Sequence, residues 1–171
     1  MPNESFVKYI HAGPLDKEWG LYITVAGFAQ IPPSIVYPPN VHPSGYFFTW
    51  DKGRILQEYQ VNYITEGSGI FETAEGKFQV VPGSILILRP GVWHRYKPDQ
   101  TTGWNEHYIG FNGNFCENLF NEGFFQQSKP VVYVGFQENL LKIFLEIIQL
   151  VKDEKTGHQQ VCAANTILVL S

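Results

Sequence analysis

Val81-Pro-Gly-Ser-Ile-Leu-Ile-Leu-Arg-Pro-Gly-Val-Trp-His-Arg-Tyr96 is the stretch whose reading decides the fold. Two Pro-Gly steps, at 82–83 and 90–91, bracket the apolar run Ile85–Leu88 and lead into a second run from Trp93 to Lys97. Proline presets φ at the first central position of a turn and glycine accepts the positive φ that follows, so each step reverses the chain between short strands. The same pattern extends outward in both directions. Upstream, Gly69–Ala74 and Lys77–Val81 flank Glu75-Gly76 as a hairpin. Before it, Tyr59, Val61 and Tyr63 alternate with Glu58, Gln60 and Asn62, a period of two that marks a half-buried strand. Downstream, Asn105–Asn112 sets Glu106 and Tyr108 on one face and His107, Ile109 and Phe111 on the other. Together with the β-like run Leu21–Ala26, this series of short strands cut by Gly and Pro predicts a sandwich or barrel.

Beyond the strands the character differs. Residues 1–18 show no sustained period and read as a mobile arm, and residues 31–43 hold five prolines and read as a loop. Gln137–Lys152 is an amphipathic helix, with Glu138, Lys142, Glu146 and Gln149 on one stripe. Phe136, Leu140, Phe144, Ile147, Ile148 and Val151 occupy the rest, wide enough to pack on the barrel and still leave apolar surface for a partner. The final run, Thr166-Ile-Leu-Val-Leu-Ser171, carries no C-cap signal and reads as a helix that continues further or is buried in a partner.

Composition narrows the function. A chain of 171 residues accommodates one domain with a helical appendage, and 44% hydrophobic against 16% charged residues excludes disorder. Aromatics at 15% exceed what such a core needs, which leaves rings for a pocket. With a formal charge of −4 and no basic segment, these residues by themselves are not expected to hold DNA. Cys116 and Cys162 stand far apart in no metal or redox spacing and read as reduced thiols. No signal pattern and no apolar run of roughly 20 residues is present, so the expectation is a soluble, cytoplasmic protein with no membrane association.

Gly83, six residues, then Pro90-Gly91-Val-Trp-His94 resembles the second signature of the cupin superfamily. Where metal-binding cupins carry His-x-His and Glu ligands, Arg54, Leu56 and Gln60 stand instead, so no metal and no other cofactor is expected. A longer string is more specific: Arg54, Tyr59–Gly69, Val81–Tyr96 and Gly103-Trp-Asn-Glu-His-Tyr-Ile-Gly-Phe-Asn-Gly113. It resembles the N-terminal regulatory domain of AraC/XylS-type transcription factors, over about residues 20–170. The resemblance implies a mainly β fold, a cupin-like jelly-roll barrel followed by C-terminal α-helices. Its parts are an arm at 1–18, an effector-binding barrel at 19–115 and a helical dimerisation segment at 116–171. The helix-turn-helix pair of the family lies outside these residues, so DNA is a partner only through that missing domain.

Carried over by local matching, the resemblance implies that Tyr96 keeps a tyrosine contact to a sugar effector and that Tyr108 stands for a stacking indole. Glu106 replaces a histidine, and an arginine contact falls at Lys52 by gap-free counting, with Arg54 two residues on. A sugar's C–H face suits a ring and its hydroxyl rim suits a set of donors and acceptors. The candidate effector-binding set is therefore Lys52, Arg54, His94, Tyr96, Trp104, Glu106 and Tyr108. Tyr96 and Trp104 also read as core rings, and His94 as a hydrogen-bonded structural histidine. Dimerisation is assigned to Ile147, Ile148, Val151, Ile167, Leu168 and Leu170, in a homodimer. No catalytic residue is assigned; the alternative is a metal-dependent cupin enzyme acting on a sugar or small metabolite.

Overall fold

Both Pro-Gly steps turn the chain as their residues dictate, with Gly83 at φ 91° and Gly91 at φ 75°. The computed structural model describes residues 5–38 and 43–171. In chain order the elements are β1 (Phe6–Tyr9), α1 (Pro14–Glu18), β2 (Tyr22–Ile31), β3 (Arg54–Ile55), β4 (Tyr59–Gly67), β5 (Gly69–Thr73) and β6 (Gly76–Val80). They continue as β7 (Ser84–Leu88), β8 (Trp93–Pro98), β9 (Trp104–Asn112), α2 (Asn114–Asn121), β10 (Val131–Tyr133), α3 (Glu138–Asp153) and α4 (His158–Leu170). One sheet has the order β1-β2-β9-β4-β7-β10 and the other β3-β8-β5-β6, and every pairing is antiparallel. With the two edge additions β1 and β10 set aside, this is the eight-strand order of a double-sheet jelly roll. The fold is mainly β, followed by two C-terminal helices, as the spacing predicts.

The larger sheet is buried on both faces, and this alters the reading of β4. Its alternation is real, but the polar side does not meet solvent. Tyr59, Val61 and Tyr63 pack outward against the helices in one apolar core with Ile109, Phe111, Phe144 and Ile147. Gln60 and Asn62, and Glu58 just before the strand, are buried as well, at 3%, 1% and 5% exposure. A second core of Leu56, Ile64, Phe71, Leu86, Leu88, Tyr96 and Trp104 fills one end of the barrel interior.

Helix α3 spans the predicted segment shifted by one residue, but the use of its apolar face corrects the dimer assignment. Ile147, Ile148 and Val151 are buried within the protomer at 0%, 3% and 0% exposure, because the sheet's outer face needs covering and these side chains cover it. They leave nothing for a partner. Ile167 and Leu168 are exposed, and Leu170 is half-buried against the same core. Residues 116–171 are not wholly helical either, since β10 pairs with β7.

The N-terminal residues, in which the sequence shows no period, supply β1 along β2 and the short helix α1. They are tied to the helices at several points. Lys8 Nζ donates to the Val151 carbonyl at 3.1 Å and pairs with Glu154 at 2.9 Å, a cation at the C-terminal end of α3, where the helix dipole favours it. Lys152 Nζ lies 4.5 Å from the Phe6 ring centroid. Gln159 at the start of α4 bridges both backbone groups of Ile23: its Nε2 donates to the carbonyl at 2.9 Å and its Oε1 accepts from the N–H at 3.0 Å. Because Gln159 is 4% exposed, replacing it with Leu strands two buried backbone groups. Gln159→Leu should lower the unfolding free energy by roughly 2–4 kcal/mol, read as a lower urea midpoint with an unchanged slope. An unchanged midpoint would mean that this bridge does not hold α4 to the barrel.

Candidate functional site

Strand alternation brings Glu106 and Tyr108 of β9 and Gln60 of β4 to one interior, with Tyr96 of β8 and Arg54 of β3 facing them from the other sheet. They line a cavity of about 320 Å³ that is closed on one side by β1 and by the chain near Tyr37 and Tyr46. Lys52, the counting-based alternative to Arg54, is exposed in a turn in which its N–H donates to the Thr49 carbonyl. Only its carbonyl is engaged elsewhere, accepting from Trp93 Nε1. The turn breaks strand parity, so Arg54 is the residue that reaches the cavity. Trp104 and His94 do not line it. Trp104 is core, 5.9 Å from Tyr96 and 6.2 Å from Tyr37 between ring centroids, and its buried Nε1 has no partner.

Arg54 is held from several sides. Its Nε donates to His94 Nε2 at 3.0 Å, its Nη1 to the Tyr46 carbonyl at 2.6 Å and its Nη2 to the Tyr96 hydroxyl at 2.8 Å. Its guanidinium carbon lies 5.1 Å from the Phe48 ring and 5.4 Å from the Tyr96 ring. His94 Nδ1 sits 3.1 Å from the Val92 carbonyl, so the consistent tautomer carries hydrogen on Nδ1 and accepts at Nε2. Burial first, and then the adjacent Arg54 charge, depress its pKa to about 3. A neutral His94 thus fixes the guanidinium rather than lining the cavity itself.

Glu106 is the opposite case. It is 5% exposed, and its buried Oε2 has no hydrogen-bond partner. Burial raises its pKa to about 7, with Arg54 pulling the other way. Beside it, Tyr108 lies over Gly27; a Cβ there would meet the Tyr108 hydroxyl at 2.6 Å and the Phe6 carbonyl of β1 closer still. Burial also raises the phenol pKa values of Tyr9 (to about 12), Tyr37, Tyr46, Tyr96 and Tyr108, so these rings present neutral hydroxyls.

Several lining residues were not singled out from sequence: Tyr9, Phe28, Tyr37, Tyr46, Phe48 and Gln60. The surplus of aromatic residues signalled rings for a pocket without saying which. Gln60 is polar on an alternating strand, and only the second sheet turns that side inward. Its Nε2 donates to Glu58 Oε1 at 2.7 Å, and Tyr46 donates to Glu58 Oε2 at 2.8 Å, so this buried carboxyl is satisfied where Glu106 is not. Among the described residues, no three His, Cys, Asp or Glu side chains gather as a metal site, and no helix is long and apolar enough to cross a membrane.

A jelly-roll barrel enclosing a ring-lined, partly polar cavity defines a small-molecule-binding domain. Residues 22–168 match the AraC-like ligand binding domain family, and the chain belongs to it. The chain is similar to the lactose operon transcription activator of Staphylococcus xylosus, with 31% identity over 83 residues, 48% of this chain and 27% of that protein. The match thus spans about a quarter of that relative's length (27%). Among solved structures it is similar to YhaK from Escherichia coli, at 13% identity and TM-score 0.47 over 78% of this chain and 52% of that one. It is also similar to the cupin domain of Schizosaccharomyces pombe Cnp3, at 15% identity and TM-score 0.40 over 71% of each chain.

The Glu106 carboxyl makes stability depend on pH. Its folded pKa of about 7 lies above the ordinary 4.5, so the stability it contributes is complete below about 4.5 and is lost as pH rises through 7. Glu106→Gln removes that loss. The variant's unfolding free energy relative to wild type should therefore rise between about pH 5 and about pH 8, by up to roughly 3 kcal/mol in urea titrations. A pH-independent difference would mean that Glu106 ionises in the folded barrel as it does in water.

Proposed function

We propose that this chain is the effector-sensing and dimerising half of a transcription regulator, that its effector is a sugar, and that the effector lies in the barrel cavity. The observation that carries the reading is a ring-walled cavity in which the buried Oε2 of Glu106 has no hydrogen-bond partner, because such a group calls for a polar ligand. Tyr108 and Tyr96 supply faces for a sugar's C–H side, Glu106 accepts from its hydroxyls, and Arg54 is the cation that completes the set. The similarity to a lactose operon activator supports both the sugar and the regulatory role. In this reading DNA is contacted through a helix-turn-helix region outside these 171 residues, and the protein works in the cytoplasm.

Transmission runs through β1. Phe6 and Tyr9 wall the cavity, while Lys8 between them holds the end of α3. An effector that favours one seating of β1 shifts the population of α3–α4 arrangements by its differential affinity.

A sugar panel of lactose, D-galactose, D-glucose and L-arabinose, read by thermal shift, tests the site. A ligand at about 100 times its Kd stabilises the fold by about 2.7 kcal/mol. Tyr108→Ala and Glu106→Gln should each diminish the shift. Equal shifts in wild type and both variants would put the site elsewhere.

The homodimer uses what α3 and α4 leave exposed: Leu145 at 45%, Val161 at 46%, Ile167 at 37% and Leu168 at 57%. Sedimentation at tens of micromolar (roughly the range that populates modest interfaces) should give a dimer. Leu168→Asp should shift it to monomer, whereas Leu15→Asp, at a still more exposed apolar residue on α1, should not. A monomeric wild type would overturn the assignment.

A further inference from the structure

The geometry points to an uncharged effector: a sugar entering the barrel does so as a neutral polyol or glycoside, not as a sugar phosphate or sugar acid, and Glu106 is the residue that enforces this. The inference rests on the sugar-binding reading above and narrows it.

An anionic ligand needs a cation or several free donors where it binds. Among the described residues the cavity wall holds one cationic side chain, Arg54. That guanidinium is already engaged at each of its three nitrogens, by His94, the Tyr46 carbonyl and the Tyr96 hydroxyl, and rings lie against it. Three of its five N–H groups are thereby spent inside the wall, and the two left can donate to a neutral ligand hydroxyl. His94, which accepts from its Nε, is neutral and does not face the cavity.

Two of the donors on the wall are drawn away from the cavity. The Tyr46 hydroxyl and Gln60 Nε2 both donate to Glu58. Among the described lining residues, the buried side-chain atom without a partner is Glu106 Oε2, an acceptor when the carboxyl is ionised. A phosphate or carboxylate would enter beside this group, out of bulk water and with like charges opposed. A neutral polyol does the reverse: its hydroxyls donate to the carboxyl that lacks a partner, and its C–H faces rest on Tyr108 and Tyr96. The same arrangement therefore favours one charge class and disfavours the other.

The test compares matched pairs by titration calorimetry on the folded chain: D-galactose against D-galactose 6-phosphate and D-galacturonate, D-glucose against D-glucose 6-phosphate and D-glucuronate, with lactose alongside. The expected result is binding of an uncharged member and at least about tenfold weaker binding of its charged counterparts. Glu106→Gln supplies the sign. For the uncharged sugar it should weaken binding by about tenfold, and for the charged ones it should strengthen it. A phosphate or uronate that binds as tightly as its neutral partner, or a Glu106→Gln variant that binds the neutral sugar more tightly, overturns the inference while the sugar reading stands. Silence from every sugar, with an intact unliganded melting transition, overturns the sugar reading and this inference with it.

Discussion

The constraint on which this structure depends is the burial of both faces of the sheet formed by β2, β9 and β4. A strand offers its side chains alternately to two sides. In an ordinary sandwich one of those sides meets water. Here the outer side is covered by α3 and α4, and the inner side looks across to β8 and β3. Every polar residue on the inner side must then find a partner inside the barrel or present an unmet group to whatever enters it. Glu58 finds Tyr46 and Gln60. Glu106, one strand over, leaves its buried Oε2 without a partner.

Arg54 is a cation held in the wall of the cavity. A lone guanidinium in such an interior is costly, and this one is accommodated because its hydrogen bonds and its ring contacts come from several chain segments at once. His94 from β8, the Tyr46 backbone and Tyr96 converge on it. The histidine after the Pro90-Gly91 turn thus keeps the place that the cupin-like signature gives it but serves another purpose: it accepts a hydrogen bond, where a cupin metal site would have it ligate.

Much of the barrel was readable locally. The Pro-Gly turns, the alternation of Asn105–Asn112 and the amphipathic stripe of α3 are all expressed within windows of a few residues, where backbone sterics and side-chain direction act directly. Glu106 and Tyr108 fall on one face from parity alone. The failures share one cause. Counting points to Lys52 through a segment that turns before β3, where parity does not hold. The sequence offers Ile147, Ile148 and Val151 to a partner because an apolar stripe does not say whether it faces its own sheet or another copy. Tyr37, Tyr46 and Phe48 lie in or beside a proline-rich loop without period, so nothing local aims them at a cavity.

By itself, then, the sequence determined a sandwich or barrel of short strands, the strand faces and the pairing of Glu106 with Tyr108 on β9, since these follow from turn chemistry and two-residue periodicity. Only the tertiary structure decided that the polar side of β4 faces inward, that Arg54 rather than Lys52 reaches the cavity, that β1 joins the wall, and which apolar residues of α3 and α4 remain exposed. Those choices depend on contacts between residues distant in sequence, where burial and the satisfaction of polar groups are settled across the whole interior and no local signal carries them.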